Sequence, residues 1–449
     1  MNTLEQLRSG ALQGTSRLKL CEGLRELPQA VYSLADTLEV LDLSGNELAE
    51  LPADLPRLRR LKVIFASNNR FTRLPDVLGR CEALEMVGFK ANQIVDVPAT
   101  ALPPRLRWLI LTDNRIATLP DELGRRPRLQ KVALAGNRLR ALPDTLAACK
   151  RLELLRISAN RLDGLPDWLL ELPRLTWLAY GGNPFSAAHE ADALDNTPMP
   201  RTPWSALDVQ QLLGEGASGH IYRAARSGGE AVALKVFKGE VTSDGLPSTE
   251  LAACLQAGAH PQLIPALGRL TGHPAGADGL LMPLVGPAFR TLAGPPSLAS
   301  CTRDVYDPAL RLRPEAALAI GAGIASALSH LHERGLTHGD LYAHNILHDG
   351  HGRARLGDFG AASFLASVPP HQAARLQALD VRALGCLLEE LVACCGEQTP
   401  ALDAVRTLAR TCLHTDVDQG PCANQLAQAL RRLQQSPTCQ TQHRDLIGD

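Results

Sequence analysis

Hydrophobic and polar positions follow two different patterns along this chain, and the change comes near residue 186. In the first half one phrase recurs: LEVLDLSGNELAELP from Leu38, LKVIFASNNRFTRLP from Leu61, LEMVGFKANQIVDVP from Leu84, LRWLILTDNRIATLP from Leu106, LQKVALAGNRLRALP from Leu129 and LELLRISANRLDGLP from Leu152. A truncated LTWLAYGGNPF follows from Leu175, and LKLCEGLRELP from Leu18 is an irregular earlier copy. The spacing is 23 residues, once 22, which predicts stacked units rather than one core. The first, fourth and sixth positions of each copy are apolar, so Leu106, Leu109 and Leu111 are expected to face inward. One copy cannot bury that face alone; stacking does. Asparagine recurs at the ninth position, as Asn46, Asn69, Asn92, Asn114, Asn137, Asn160 and Asn183. Its amide is expected to bond backbone groups where each strand bends away. Leu-Pro pairs such as Leu51-Pro52 and Leu142-Pro143 mark the crossing to the convex side, since Pro cannot donate to a ladder.

These copies resemble the intracellular 23-residue class of leucine-rich repeats, from about Leu18 to Phe185. The resemblance implies a curved solenoid whose concave face carries Val63, Phe65, Met86, Trp108, Ile110, Lys131, Arg156 and Trp177. Phe65, Met86, Trp108 and Trp177 would form an apolar stripe there. Such a stripe anchors a protein partner, or packs against a cap, a linker or the second domain. Both readings stay open at this point.

Residues 187–205 hold three prolines and little periodicity, which reads as a partly extended linker. Beyond it, LGEGASGHIYRA places Gly214, Gly216 and Gly219 in GxGxxG spacing, with Ile221 after them. Alone this is a weak signal. The next segment decides it: AVALKVF reads as a strand carrying Lys235, where a dinucleotide fold would need a helix directly after the glycines. LTHGDLYAHNIL then supplies His338, Asp340 and Asn345, and RLGDFGAAS supplies Asp358, Phe359 and Gly360.

Four motifs in this order resemble the protein kinase superfamily, over about Leu207 to Leu433. The expected fold class is multidomain, an α/β leucine-rich-repeat solenoid followed by a bilobal α+β protein-kinase-like fold. The expected domains are residues 1–186 (solenoid), 187–206 (linker), 207–436 (kinase-like) and 437–449 (tail). The resemblance implies a protein kinase that uses ATP and Mg2+ on protein substrates. Phosphoryl transfer needs positioning and charge neutralisation more than covalent help. By the same resemblance, Gly214, Gly216 and Gly219 close over the phosphates, Ile221 and Ala233 belong to the nucleotide site, Met282 lies at the back of the adenine pocket, and Lys235 pairs with the α- and β-phosphates. Glu250, in STELAACLQAG, is the carboxylate expected to hold Lys235. Asn345 and Asp358 would be magnesium ligands, Asp340 would accept or orient the proton of the acceptor hydroxyl, and Asp380 would anchor the catalytic loop.

Three departures bear on activity. Gly339 stands where an arginine that pairs with loop phosphate is usual, and Tyr342 where a lysine is usual. His344 occupies the place of a cation in the tyrosine-kinase pattern. VPPHQAARLQ replaces Ala-Pro-Glu, and Gly420-Pro421 replaces Arg-Pro, so both partners of that ion pair are lost together. The reading is a protein kinase, with Ser/Thr ahead of Tyr as acceptor. Its alternative is a pseudokinase or adaptor scaffold that binds ATP without efficient transfer.

Composition adds bounds. The 449 residues predict two or three domains, and Lys plus Arg (46) against Asp plus Glu (47) gives no basic field for nucleic acid. Eleven scattered cysteines read as free thiols of a reducing cytoplasm. The first residues show no signal peptide, and the apolar run from Ala316 to His332 is shorter than the roughly 20 residues a membrane span needs. That run reads as a buried helix.

Overall fold

A computed structural model describes residues 2–216, 218–413 and 420–435. The tail expected at 437–449 lies outside the described residues. Chain contacts divide the protein into two units, Met1–Leu175 and Thr176–Asp449.

In the first unit, helix α1 (Leu4–Arg8) opens on a capping box, with the Gln6 N–H donating to the Thr3 hydroxyl and the Thr3 N–H to the Gln6 side chain. Seven three-residue strands follow in sequence order: β1 (Arg17–Lys19), β2 (Val40–Asp42), β3 (Val63–Phe65), β4 (Met86–Gly88), β5 (Trp108–Ile110), β6 (Lys131–Ala133) and β7 (Leu154–Arg156). Each pairs in parallel with the next. The prolines of the Leu-Pro pairs open short 3-10 turns on the return path, as Pro75, Pro120 and Pro143 do. Leu106, Leu109 and Leu111 are all fully buried, as the spacing requires. The asparagines form a ladder between neighbouring copies. Asn114 gives its amide hydrogens to Phe89 O (2.9 Å) and Leu111 O (3.0 Å) and accepts from the Ile94 N–H (2.9 Å). Asn137 repeats the pattern one copy on, with Leu111 O, Leu134 O and the Ile116 N–H. Gly124 lets consecutive turns close up, because a Cβ there would stand 2.2 Å from Thr145 O.

The second unit begins with β8 (Trp177–Ala179) and helix α2 (Pro184–Asn196), then β9 (Arg201–Pro203). The stretch that reads as an extended linker is therefore ordered. Its alanines and the Pro184 start favour a helix, and Asn183 at its head bonds Ser186. β9 pairs in parallel with Arg269–Thr271. β10 (Leu207–Glu215), β11 (Gly219–Arg226) and β12 (Ala231–Phe237) form an antiparallel meander. After helix α3 (Pro247–Ala257) come β13 (Gly268–Thr271) and β14 (Gly279–Pro283), giving a six-stranded sheet in the order β10-β11-β12-β14-β13-β9. Period-2 alternation splits β12 by face: Val232, Leu234 and Val236 enter a core with Ala224, Leu270 and Leu281, so Ala233 and Lys235 point the other way.

β15 (Arg290–Thr291) leads to the second lobe. It contains α4 (Pro314–Glu333), β16 (Leu336–Thr337), β17 (Ile346–His348), β18 (Ala354–Leu356), β19 (Ser363–Phe364), α5 (Pro370–Ala393), α6 (Pro400–Leu413) and α7 (Ala423–Gln435). α4 is the buried Ala/Gly-rich helix expected from the apolar run. Its Gly321 admits close packing, since a Cβ there would meet Leu388 Cδ2 at 2.8 Å. Among the described residues no helix is long and apolar enough to cross a membrane.

Candidate active site

Strand register brings Ile221, Lys235 and Leu280 level with one another, and Ala233 level with Met282. Ile221, Ala233, Lys235 and Met282 thus share the face of the sheet opposite its aliphatic core. The hairpin from β10 to β11 carries the three glycines. Gly219 is demanded by packing, because a Cβ would lie 2.5 Å from Val236 O. At Gly214 and Gly216 packing within the described residues does not demand glycine, since a Cβ at either meets nothing within 4 Å.

Lys235 is 5% exposed, and its Nζ lies 2.6 Å from Glu250 Oε1 on α3 and 3.4 Å from Asp358 Oδ1. Burial works against the Lys235 charge, but the Asp358 and Glu250 carboxylates outweigh it and hold its pKa above the ordinary range. Burial pushes the Glu250 carboxyl the same way, up to about 7, against the pull of Lys235. Its second oxygen, Oε2, is buried with no hydrogen-bond partner among the described residues. Asp358 is also opposed by burial, yet Lys235 and the Gly360 N–H hold its carboxyl below the usual range. Its backbone is left-handed (φ 57°), a region Asp tolerates better than most residues.

The loop that carries Asp340 hangs from one buried carboxylate. Asp380 on α5 accepts the N–H groups of His338 (2.7 Å) and Gly339 (2.9 Å), and His332 Nε2 lies 3.2 Å away. Asn345 donates to both the backbone and the carboxylate of Asp340, at 2.9 and 3.0 Å. Those bonds use the Asn345 amide nitrogen, so its oxygen, like the Asp358 carboxylate, is a donor of the type that suits a hard divalent cation.

The structure thus gathers Lys235, Glu250 and Asp358 in one cluster, pairs Asp340 with Asn345, and puts Ile221, Ala233 and Met282 on the same sheet face as Lys235. Sequence reading missed Asp304, which accepts the His344 N–H (3.0 Å) and meets His344 Nδ1 at 2.7 Å. No motif surrounds it. For Trp177 the second of the two open readings holds. It belongs to the second unit, is 2% exposed and stacks on Tyr342, so it packs within that unit and is not part of a partner-facing stripe. Met86 is also buried, while Phe65 and Trp108 are half-buried, with Lys131 Nζ 4.3 Å from the centre of the Trp108 ring system. The segment from Asp358 to α5 is short, and VPPHQAARLQ is absorbed into the start of α5 instead of forming a separate Ala-Pro-Glu turn.

Comparison with known proteins meets this geometry. The family model described as Protein kinase domain matches residues 207–398, and leucine-rich-repeat models match 37–58 and 127–185. The chain carries a protein kinase domain preceded by leucine-rich repeats. The DNA damage-responsive serine/threonine-protein kinase RqkA of Deinococcus radiodurans is 34% identical over 174 residues, 36% of this chain and 24% of that protein. The L-type lectin-domain containing receptor kinase S.7 of rice (Oryza sativa subsp. japonica) is 29% identical over 203 residues, 43% of this chain and 26% of its own. The human leucine-rich repeat-containing protein 58 is 36% identical over 105 residues, 22% of this chain and 28% of that protein. The chain therefore spans about a quarter of each relative's length. Its kinase domain generally implies use of ATP and Mg2+, and its repeats suggest protein interaction.

Proposed function

We propose that this protein transfers the γ-phosphoryl group of ATP to protein hydroxyls, Ser/Thr ahead of Tyr. The observation that carries the reading is the buried Lys235–Glu250 pair at 2.6 Å beside Asp358, together with Asp340 held by Asn345. Lys235 would hold the α- and β-phosphates under the loop of Gly214, Gly216 and Gly219, with the adenine against Ile221, Ala233 and Met282. Asp340 would take or orient the proton of the attacking hydroxyl. Asn345 and Asp358 would hold magnesium, which when bound neutralises charge on the phosphates. The kinase domain would run over 207–436. The solenoid, 1–186, would bind a protein partner or substrate on its concave face, in the cytoplasm, with no nucleic-acid role.

One observation favours a second reading, a nucleotide-binding scaffold with inefficient transfer. Tyr342 takes the usual lysine's place and is buried under Trp177, so it offers no cation to the phosphates.

Transfer of label from γ-labelled ATP to a generic Ser/Thr acceptor, with magnesium present, tests the first reading. Excess EDTA is expected to remove the transfer, and magnesium to restore it. Label that persists unchanged in EDTA would count against the assigned roles of Asn345 and Asp358.

A further inference from the structure

β8 and α2 precede the kinase domain in sequence, yet within the second unit they touch three parts whose register decides transfer. Trp177 lies parallel to Tyr342, with ring centres 4.3 Å apart and planes 12° apart, and its indole N–H donates to Leu341 O at 3.1 Å. Leu341 and Tyr342 directly follow Asp340. The next residue, Leu178, reaches the same loop: Gly339 has φ 70°, and a Cβ there would stand 2.6 Å from Leu178 O and 2.5 Å from Ala361 O. Both obstacles are backbone, so no side chain fits, and the arginine expected at this position has no room. Tyr180, fully buried, donates its hydroxyl to Phe364 O (3.1 Å) and its N–H to the Ser363 hydroxyl (3.3 Å), in the segment that follows Asp358.

The third contact is with α3. Glu190 is buried on α2 and accepts from the Thr249 hydroxyl at 2.9 Å, from the Ser186 hydroxyl at 2.6 Å and from the Gly182 N–H at 2.7 Å. Thr249 is the neighbour of Glu250. A Cβ on Gly181 would lie 2.6 Å from Thr249 Cγ2, so the turn before α2 is also pressed against α3.

We infer that the segment from Thr176 to Asn196 is a built-in clamp on the catalytic machinery, with Trp177 and Glu190 as positioning residues. Trp177 sets Asp340 through Leu341 and Tyr342, and Glu190 holds α3 where Glu250 meets Lys235. Phosphate on a loop, read by an arginine, would perform the same alignment conditionally. Here a covalently attached segment performs it constantly, and Gly339 is the residue that lets it approach. The inference rests on the kinase reading of the site.

The test uses the full chain with Trp177→Phe, which keeps a ring and loses the N–H, and Thr249→Val, which is close to isosteric and loses the hydroxyl. Trp168→Phe is the matched control, since it also loses an indole bond (to Asp144, 2.9 Å) but in the first unit. Trp177→Phe is expected to lower kcat about tenfold through misplacement of Asp340. KM for ATP should hold, because Leu341 and Tyr342, which Trp177 contacts, are not among the residues assigned to the nucleotide, and hydrogen exchange over 338–345 should quicken. Thr249→Val should lower kcat about fivefold and quicken exchange over 247–257, with Thr249→Ser restoring both. The control should change neither readout. Wild-type kcat and exchange in both variants, even with lower melting temperatures, would overturn the inference and leave the segment as packing only. A wild type that transfers no phosphate would sink the kinase reading instead; exchange alone would then decide the clamp, faster supporting it and unchanged overturning it.

Discussion

Lys235→Met is expected to cut transfer by about 10²–10³-fold and to change how the second unit's stability depends on pH. Lys235 is the cation between two carboxylates, at 2.6 Å from Glu250 and 3.4 Å from Asp358. Removing a preorganised charge aimed at a phosphate costs on the order of 10²–10³ in kcat. Removing one partner of a buried pair also leaves the other charge uncompensated, at about 3–5 kcal/mol unless it neutralises. Glu250 is placed to neutralise. Burial already raises its carboxyl to about 7, and the loss of Lys235 removes the principal force pulling it down. An acid whose folded pKa lies above its unfolded value, near 4.3, binds more protons folded than unfolded between the two. Its contribution to stability is therefore present at low pH and lost as pH rises through the folded pKa. The variant should melt at a higher temperature at pH 6 than at pH 8, and by a wider margin than wild type. Equal pH dependence in both proteins would show that Glu250 does not depend on Lys235 for its charge.

Asn114→Ala is expected to destabilise the first unit by about 1–3 kcal/mol, because one small side chain bonds backbone groups of two repeats and is the acceptor for the buried Ile94 N–H. The alanine leaves the N–H of Ile94 without its partner and takes one donor each from the carbonyls of Phe89 and Leu111, which keep Asn92 and Asn137, all in a buried strip. Leu109→Ala, which empties a fully buried position, is a fair yardstick at about 2–5 kcal/mol. The denaturant midpoint of the first unit's transition, followed separately from that of the second, reads both. A shift for Asn114→Ala as small as that of an exposed substitution would show that water replaces the amide without cost.

The repeats and the residues of the proposed phosphotransfer site were legible in sequence for the same reason: each position answers a local chemical demand. Leu106, Leu109 and Leu111 repeat because stacking needs them, and Asn114 and Asn137 recur because each copy leaves the same backbone groups unpaired. Lys235, Asp340, Asn345 and Asp358 stood out because charge and metal chemistry tolerate few substitutes, and Glu250 because it is the acid within the expected helix. Trp177 was not legible. It sits at the strand position that in earlier copies belongs to the concave face, and nothing near it reveals a partner 164 residues away at Leu341. Gly339 and Tyr342 read as losses by themselves; against Leu178 and Trp177 they are the two residues that admit and receive β8. The ordered stretch after Phe185 was hidden by its prolines, which mask an alanine-rich helix and an edge strand that pairs with β13. Asp304 lies in an irregular segment with no periodic pattern, so only the fold brings it to His344.

The most direct test of phosphotransfer is a single-turnover measurement with γ-labelled ATP and magnesium, comparing wild type with Asp340→Asn at equal protein concentration. Wild type should label itself or a hydroxyl acceptor. Asp340→Asn should lose about 10²–10⁴ in rate while ATP still raises its melting temperature, since Lys235 and the glycine loop are untouched. Transfer by Asp340→Asn at the wild-type rate, or none from wild type under any magnesium concentration, would contradict the account.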